Sequence, residues 1–505
     1  MNLKRTLLIA LFLLNVFLSK AQMKSGESYQ EPYRPQLHFS PEEKWMNDPN
    51  GMVYYKGMYH LFFQYYPNDI VWGPMHWGHA VSRDLVHWKQ LPIALYPDSL
   101  GYIFSGSAVI DYKNTSGFGK KGQAPMVAIF TQHDPKLERT GSDKFQNESI
   151  AYSLDGGNTW IKYTANPVLK NPGIRDFRDP KVSWYAPGKK WIMTLATKDR
   201  VTFYSSRNLK DWSKESEFGQ GLGEHGGVWE CPDLFPLKLK SKKYWVLLVS
   251  ENPGGPNGGS ATQYFIGNFD GKTFIPLDNK SKWIDYGPDD YAGVTWGNTG
   301  ERKIFLGWMS NWLYADQAPT QKWRGAMTIP RELALRKVNG DIVLTSNPVN
   351  EIKNLATTDR LVNVKNLSLP LAGKLPDQYM LALNAGNIMD YSLVFSNSSG
   401  EQLVIGYRKN DNSYFIDRSH AGEVNFNGGF VKLLTAPRLS KSRESGIKLL
   451  VDASSVELFA DNGSTNMTAV FFPKSNFDHL QVKKQNGMII KNLWIIPLKS
   501  IWKGN

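Results

Sequence analysis

Apolar residues along this chain fall into short runs and imperfect alternations separated by turn residues, and no long segment carries a helical period. Trp191-Ile-Met-Thr-Leu-Ala196 and Tyr244-Trp-Val-Leu-Leu-Val249 read as buried strands. Gly51 to Phe63 alternates imperfectly between apolar and polar positions. Farther on, Lys448-Leu-Leu-Val-Asp452, Ser455-Val-Glu-Leu-Phe459 and Thr468-Ala-Val-Phe-Phe472 predict short strands, with Asp461-Asn-Gly463 as a hairpin turn. The chain is therefore expected to be all-β. A weak repeat divides it further. Ser82-Arg-Asp-Leu-Val-His-Trp88 recurs as Ser206-Arg-Asn-Leu-Lys-Asp-Trp212, and a looser copy, Ser153-Leu-Asp-Gly-Gly-Asn-Thr-Trp160, lies between them. Each joins a serine and a turn-forming Asp or Asn to a tryptophan placed to plug neighbouring sheets. One supersecondary unit repeated through an all-β segment predicts a β-propeller, although the repeat does not give its number of blades. We expect the propeller over 35–345, a connector over 346–360 and a β-sandwich over 361–505.

Aromatic content separates the two parts. Fifteen of the 17 tryptophans lie between Trp45 and Trp323. Most must fill a large β core, but sugar faces also stack on such rings, which puts a ligand site in the first part. Residues 1–21 read as a cleavable leader, with Lys4 and Arg5, an apolar Thr6–Leu18 and the small-residue site Ser19-Lys-Ala21. No cysteine stands near that site to take a lipid anchor, so a secreted or periplasmic address is expected. The apolar stretch is short for a bilayer and no later one is long enough, so no integral membrane segment is expected. Cys231 is the single cysteine, which leaves no intramolecular disulfide. The net charge of +13 is dispersed, without a basic run or a nucleic-acid motif, and excludes nucleic acid as the expected partner.

The chemistry lies in three acids, each close to a proline: Asp48 in Trp45-Met-Asn-Asp-Pro-Asn-Gly51, Asp179 in Phe177-Arg-Asp-Pro180 and Glu230 in Trp229-Glu-Cys-Pro-Asp233. Each motif alone also reads as turn chemistry at a strand end. Together they fit the cleavage of an acetal. One carboxylate attacks or stabilises positive charge, one carboxylic acid protonates the leaving oxygen, and a third grips sugar hydroxyls as the oxocarbenium ion develops. Other chemistry is poorly served. His76-Trp-Gly-His79 lacks an acidic or cysteine partner at metal-binding spacing, and neither a metal nor another cofactor is expected.

The ordered motifs resemble family 32 of the glycoside hydrolases, the β-fructofuranosidase group of invertases, exo-inulinases and levanases. Phe104-Ser-Gly-Ser107, Asp285-Tyr-Gly-Pro-Asp-Asp-Tyr-Ala292 and Gly307-Trp-Met309 complete the set, which covers the chain from about Pro35 onward. The resemblance implies five blades with the acids around a central funnel. It makes Asp48 the nucleophile, ionised and lightly shielded, Glu230 the acid/base and Asp179 the transition-state stabiliser. Apolar Trp229 is the neighbour expected to keep Glu230 in its acid form, and Arg178 is expected to bind hydroxyls and keep Asp179 ionised. Asn47, Gln64, Ser105 and Asp289 are candidates to hydrogen-bond fructose, with Trp72, Phe104, Tyr291 and Trp308 as its walls. A retaining hydrolase that frees terminal fructose from a fructan or fructo-oligosaccharide, and from sucrose, is implied. An invertase, an endo-levanase or a non-catalytic fructan-binding protein is the alternative. A sialidase, which shares the Ser153–Trp160 type of turn, would need an arginine triad that we do not find.

Overall fold

The computed structural model describes residues 29–120, 122–357, 362–363, 374–430 and 432–502. The expected leader, and the stretch 358–361 and 364–373 where the sandwich was expected to begin, lie outside them. Five antiparallel sheets form the first part. Blade 1 contains Lys44–Tyr55, Met58–Tyr66, His76–Ser82 and Lys89–Leu95; blade 2, Tyr102–Ile110, Met126–His133, Gln146–Ser153 and Ile161–Lys162. Blade 3 contains Phe177–Tyr185, Lys190–Thr197, Val201–Ser206 and Ser213–Phe218; blade 4, Val228–Leu239, Lys242–Asn252, Ala261–Phe269 and Phe274–Pro276. Tyr291–Thr295, Ile304–Trp308, Arg331–Val338 and Asp341–Pro348 make blade 5. The first strand of each blade touches the first strand of the next, and that of blade 5 returns to blade 1. This closed ring is a five-bladed propeller.

The repeat is the blade signature. Each copy links the third and fourth strands of its blade, in blades 1, 2 and 3. A carboxylate or amide oxygen caps the turn: Asp84 accepts from the N–H of Val86 and His87, Asn208 from Lys210 and Asp211, and Asp155 from Asn158 and Thr159. The tryptophan indole then donates back to the carbonyl three residues earlier, on Leu85, Leu209 or Gly157, each at 3.1 Å. Those three residues have left-handed backbones, which aims the carbonyl at the ring. Blade 4 keeps a shortened form, with Asp270 capping Lys272 and Thr273 and Phe274 in place of tryptophan.

Gly51 to Phe63 is not one strand but a hairpin. The chain reverses at Lys56-Gly57, both with positive φ, as a two-residue turn requires. The ring closes through two devices. Trp323–Arg324, which leaves blade 5, pairs in parallel with Lys44–Trp45 as a fifth strand of blade 1, and Gly297 N–H donates to the Met52 carbonyl at 2.8 Å. Inside the ring, Lys181 bonds to the Thr295 carbonyl and lies 3.2 Å from Asp233, tying blades 3, 4 and 5 together.

A six-stranded and a five-stranded sheet pack as a β-sandwich behind the propeller. Tyr379, Leu381 and Leu449 of one sheet share a core with Leu393, Phe395 and Ile405 of the other. Asp461-Asn-Gly463 turns the hairpin between Ser455–Ala460 and Thr465–Val470; the strand predicted over Thr468–Phe472 begins earlier and stops at Val470.

Buried charges join the two parts. Arg331, fully buried, bonds to Asp285 at 2.8 Å, Asp290 at 2.9 Å, Thr468 at 2.6 Å and also to Glu457. Glu457 accepts from His38 at 2.8 Å, whose other nitrogen meets Asp452 at 2.7 Å. Gly287 in the same motif allows the propeller to abut the sandwich, since a Cβ there would stand 2.1 Å from the Thr468 carbonyl oxygen. Burial alone would favour a neutral His38, but the hydrogen bonds to Asp452 and Glu457 outweigh it and raise its pKa to about 9. The stabilisation is therefore full below the free value of 6.5 and lost as pH rises through about 9. His38→Gln is expected to destabilise the protein by about 3 kcal/mol near neutral pH, because buried Asp452 loses its cation and Glu457 keeps only Arg331. It should also flatten the decline in stability across that window, as read from urea unfolding at a series of pH values.

Candidate active site

Every innermost strand carries a β-bulge within its first five residues. Asn47-Asp48 faces Gln64, Phe104-Ser105 faces Thr131, Asp179-Pro180 faces Leu195, Cys231-Pro232 faces Val249 and Ala292-Gly293 faces Gly307. A bulge takes residues out of the ladder and re-aims their side chains. Proline suits such a place because it has no N–H to leave unpaired. The acids therefore lie inside strands, not at the strand ends that turn chemistry suggested. Asp179, Cys231 and Ala292 have φ of 68°, 45° and 53°, a left-handed backbone that costs a non-glycine residue about 1–2 kcal/mol.

The bulges of blades 1, 2 and 3, with Glu230 of blade 4, border a cavity of about 420 Å³. Asp48 accepts from Ser105 Oγ at 2.6 Å and Asn47 Nδ2 at 3.0 Å, with Cys231 Sγ at 3.6 Å. Glu230 Oε1 accepts from Arg178 Nε at 3.1 Å and Nη2 at 2.9 Å, and its Oε2 accepts the Tyr291 hydroxyl. Asp179 Oδ2 accepts the Cys231 N–H at 3.0 Å. Burial, followed by the charge of Glu230, pushes the Asp48 carboxyl above the usual range, so the light shielding expected of it is not what surrounds it. Burial raises Asp179 to about 7; Arg178 opposes this, while Glu230 and Asp48 add to it. Arg178 does not keep Asp179 in the usual carboxylate range. Its close partners are Asp176 at 2.5 Å and Glu230, with Asp179 at 3.9 Å.

Asn47, Asp48, Gln64, Trp72, Phe104, Ser105, Arg178, Asp179 and Glu230 all line the cavity. Asp289 does not. It is fully buried against the sandwich, where it takes Arg418 at 2.9 Å, the Tyr314 hydroxyl at 2.6 Å and the Val470 N–H at 3.0 Å, so its oxygens are committed to joining the domains. Trp308 is also fully buried and packs behind Trp312, which is the ring that reaches the cavity. Tyr291, expected as a wall, is not among the lining residues; its hydroxyl bonds to Glu230. Trp229 turns to the opposite side of its strand, into the core between blades 3 and 4, and stacks on His225; the neighbours of Glu230 are Arg178 and Tyr291. The sequence reading missed Trp312, Asp176, Gln146 and His133, the last stacked on Phe104 at 4.4 Å. Only Trp312, four residues past Trp308, and Asp176, two before Arg178, stood near a quoted motif.

A five-bladed propeller that brings Asp48, Asp179 and Glu230 to one aromatic-walled cavity, with a β-sandwich behind it, fits the chemistry of a glycoside hydrolase. The chain belongs to glycosyl hydrolases family 32, whose N-terminal domain matches residues 38–348 and whose C-terminal domain matches 345–496. It is 45% identical to a levanase of Bacillus subtilis, over 98% of this chain and 75% of that protein. It is 40% identical to the extracellular exo-inulinase inuE of Aspergillus niger, over 91% of this chain and 93% of that one. The solved exo-inulinase of Aspergillus awamori superposes with a TM-score of 0.87 at 37% identity, covering 94% of this chain and all of the other.

Because the fold holds the Asp179 proton up to about 7 while the free carboxyl releases it near 3.8, the Asp179 contribution to stability falls as pH rises through that window. Asp179→Asn is expected to raise the thermal midpoint above pH 7, with the gain shrinking to nothing toward pH 4. Calorimetry across that range checks both limits.

Proposed function

We propose that this protein is a retaining β-fructosidase that frees terminal fructose from fructans and from sucrose. The observation that carries the reading is the shared cavity, onto which Asp48 of blade 1, Asp179 of blade 3 and Glu230 of blade 4 all open. Its likeness to proteins named levanase and exo-inulinase supports the choice of fructose. Asp48 attacks the anomeric carbon while the Glu230 proton passes to the leaving oxygen. Water then attacks the same carbon, Glu230 takes its proton, and the Asp48 carboxylate departs. Asp179 and Arg178 hold fructose hydroxyls, with Asn47, Gln64 and Ser105 around them and Trp72, Phe104 and Trp312 as walls. This mechanism calls for carboxyl groups of Asp48 and Glu230 about 5–5.5 Å apart. Removal of the leader at 1–21 places the enzyme outside the cytoplasm, in keeping with the extracellular exo-inulinase it resembles. The division expected at 35–345, 346–360 and 361–505 assigns catalysis to the propeller, whose last strand runs on to Pro348, and support to the sandwich.

Residues 22–505, incubated separately with levan, inulin and sucrose, are expected to release fructose as the first product of a polymer. Early oligosaccharides would instead mean an endo mode, and no release from any of the three would refute the reading. Glu230→Gln should bind fructose and lose hydrolysis by at least about 1,000-fold, the upper part of what a general acid contributes. Loss of binding together with hydrolysis would remove Glu230 from the acid/base role.

A further inference from the structure

Behind Asp179, on the side away from the cavity, lies a carboxyl group that the proposed reaction does not use. Glu148 stands in the third strand of blade 2, directly across the ladder from Thr131, and both are fully buried. Thr131 Oγ1 accepts the Asp179 N–H at 3.0 Å and donates to Glu148 Oε2 at 2.8 Å. Among the described residues Glu148 Oε1 has no hydrogen-bond partner, and no salt bridge reaches this carboxyl. A buried carboxyl without a cation is neutral, and burial does push Glu148 well above the usual carboxylate range.

The bulge makes this contact necessary. Asp179 and Pro180 oppose a single residue, Leu195, so the Asp179 N–H has left the ladder of blade 3. It also sits on a residue with φ of 68°. An amide buried there needs an acceptor, and the acceptor is a hydroxyl from the neighbouring blade. A hydroxyl that accepts from an amide must direct its own proton elsewhere. The neutral carbonyl oxygen of Glu148 takes that proton and stops the rotor. Thr131 is also the one residue facing the Phe104-Ser105 bulge, and Ser105 donates to Asp48. The same residue therefore stands against two of the re-aimed segments, its backbone facing one and its side chain holding the other.

We propose that Glu148 is a positioning residue: it orients the Thr131 hydroxyl, which holds the Asp179 backbone in the left-handed bulge that delivers its carboxyl to the funnel. The inference rests on the reading of Asp179 as the group that grips fructose. Full-length Thr131→Val and Glu148→Leu are compared with Thr131→Ser and Glu148→Gln, each assayed on the polymer that the wild type cleaves. The first pair should lose kcat on the order of 100-fold, as a catalytic group displaced by about an ångström does, with KM little changed; the second pair should stay close to wild type. A second reading needs no substrate. Hydrogen exchange at the Asp179 amide, followed by mass spectrometry of peptides spanning it, should quicken in the first pair and stay slow in the second. A folded Thr131→Val with wild-type kcat and slow exchange overturns the proposal, as does a loss in Glu148→Gln equal to that in Glu148→Leu. If Glu148→Leu does not fold, the two Thr131 variants decide. A wild type inactive on levan, inulin and sucrose refutes the functional reading alone, and hydrogen exchange still tests the role of Glu148.

Discussion

The first strand of blades 2, 3, 4 and 5 is a sheet edge, and that of blade 1 gains a second neighbour at Lys44–Trp45 and at a single bridge from Val53 to Gly297. An edge strand tolerates a bulge and a proline because few ladder bonds are lost with them. This constraint governs the site. Five edges meet around one axis and each is bulged near its start; displaced residues of blades 1, 2 and 3, with Glu230 just before the bulge of blade 4, line one cavity. In the middle of a sheet the same Asp-Pro sequence would break pairing on both sides. At these edges it sends a carboxyl inward, and the ring of blades protects the exposed edges from pairing with another chain.

Much of this was legible in the amino-acid sequence. The Ser82–Trp88, Ser153–Trp160 and Ser206–Trp212 repeat announced a propeller because one hydrogen-bonded turn recurs at the same place in three blades, and local chemistry of that kind is written in consecutive residues. Asp48, Asp179 and Glu230 stood out for the same reason, since proline marks their bulges. What stayed hidden depends on contacts distant in sequence. Asp289 and Asp290 are adjacent acids in a motif rich in turn residues, and nothing local says that their partners are Arg418 and Arg331. Trp308 and Trp312 differ only in which one the packing brings to the cavity. Trp229 lies next to Glu230, but strand alternation sends neighbours to opposite faces, so proximity along the chain misled.

The funnel also gathers what a folded chain otherwise avoids: Asp48, Asp179 and Glu230 at close quarters, positive φ at Asp176, Asp179, Cys231 and Ala292, and a buried thiol, whose ionisation is opposed by burial and by Asp179. Each opposes stability locally. The rigidity that tolerates them lies elsewhere, in the indole-capped turns at the blade rims, in the Lys181–Asp233 tie inside the ring and in the sandwich packed behind.

That packing bears on ancestry. Arg331, His38 and Asp289 belong to the propeller, Glu457, Asp452 and Arg418 to the sandwich, and each of these charges has a partner on the other side. Greasy faces can be exchanged between lineages with modest mismatch, but a buried lattice of matched ions cannot. Recombination that replaced either half alone would strand several charges away from water at once. The halves are expected to travel through descent as a single heritable block, with substitutions along their seam occurring in concert and not one by one.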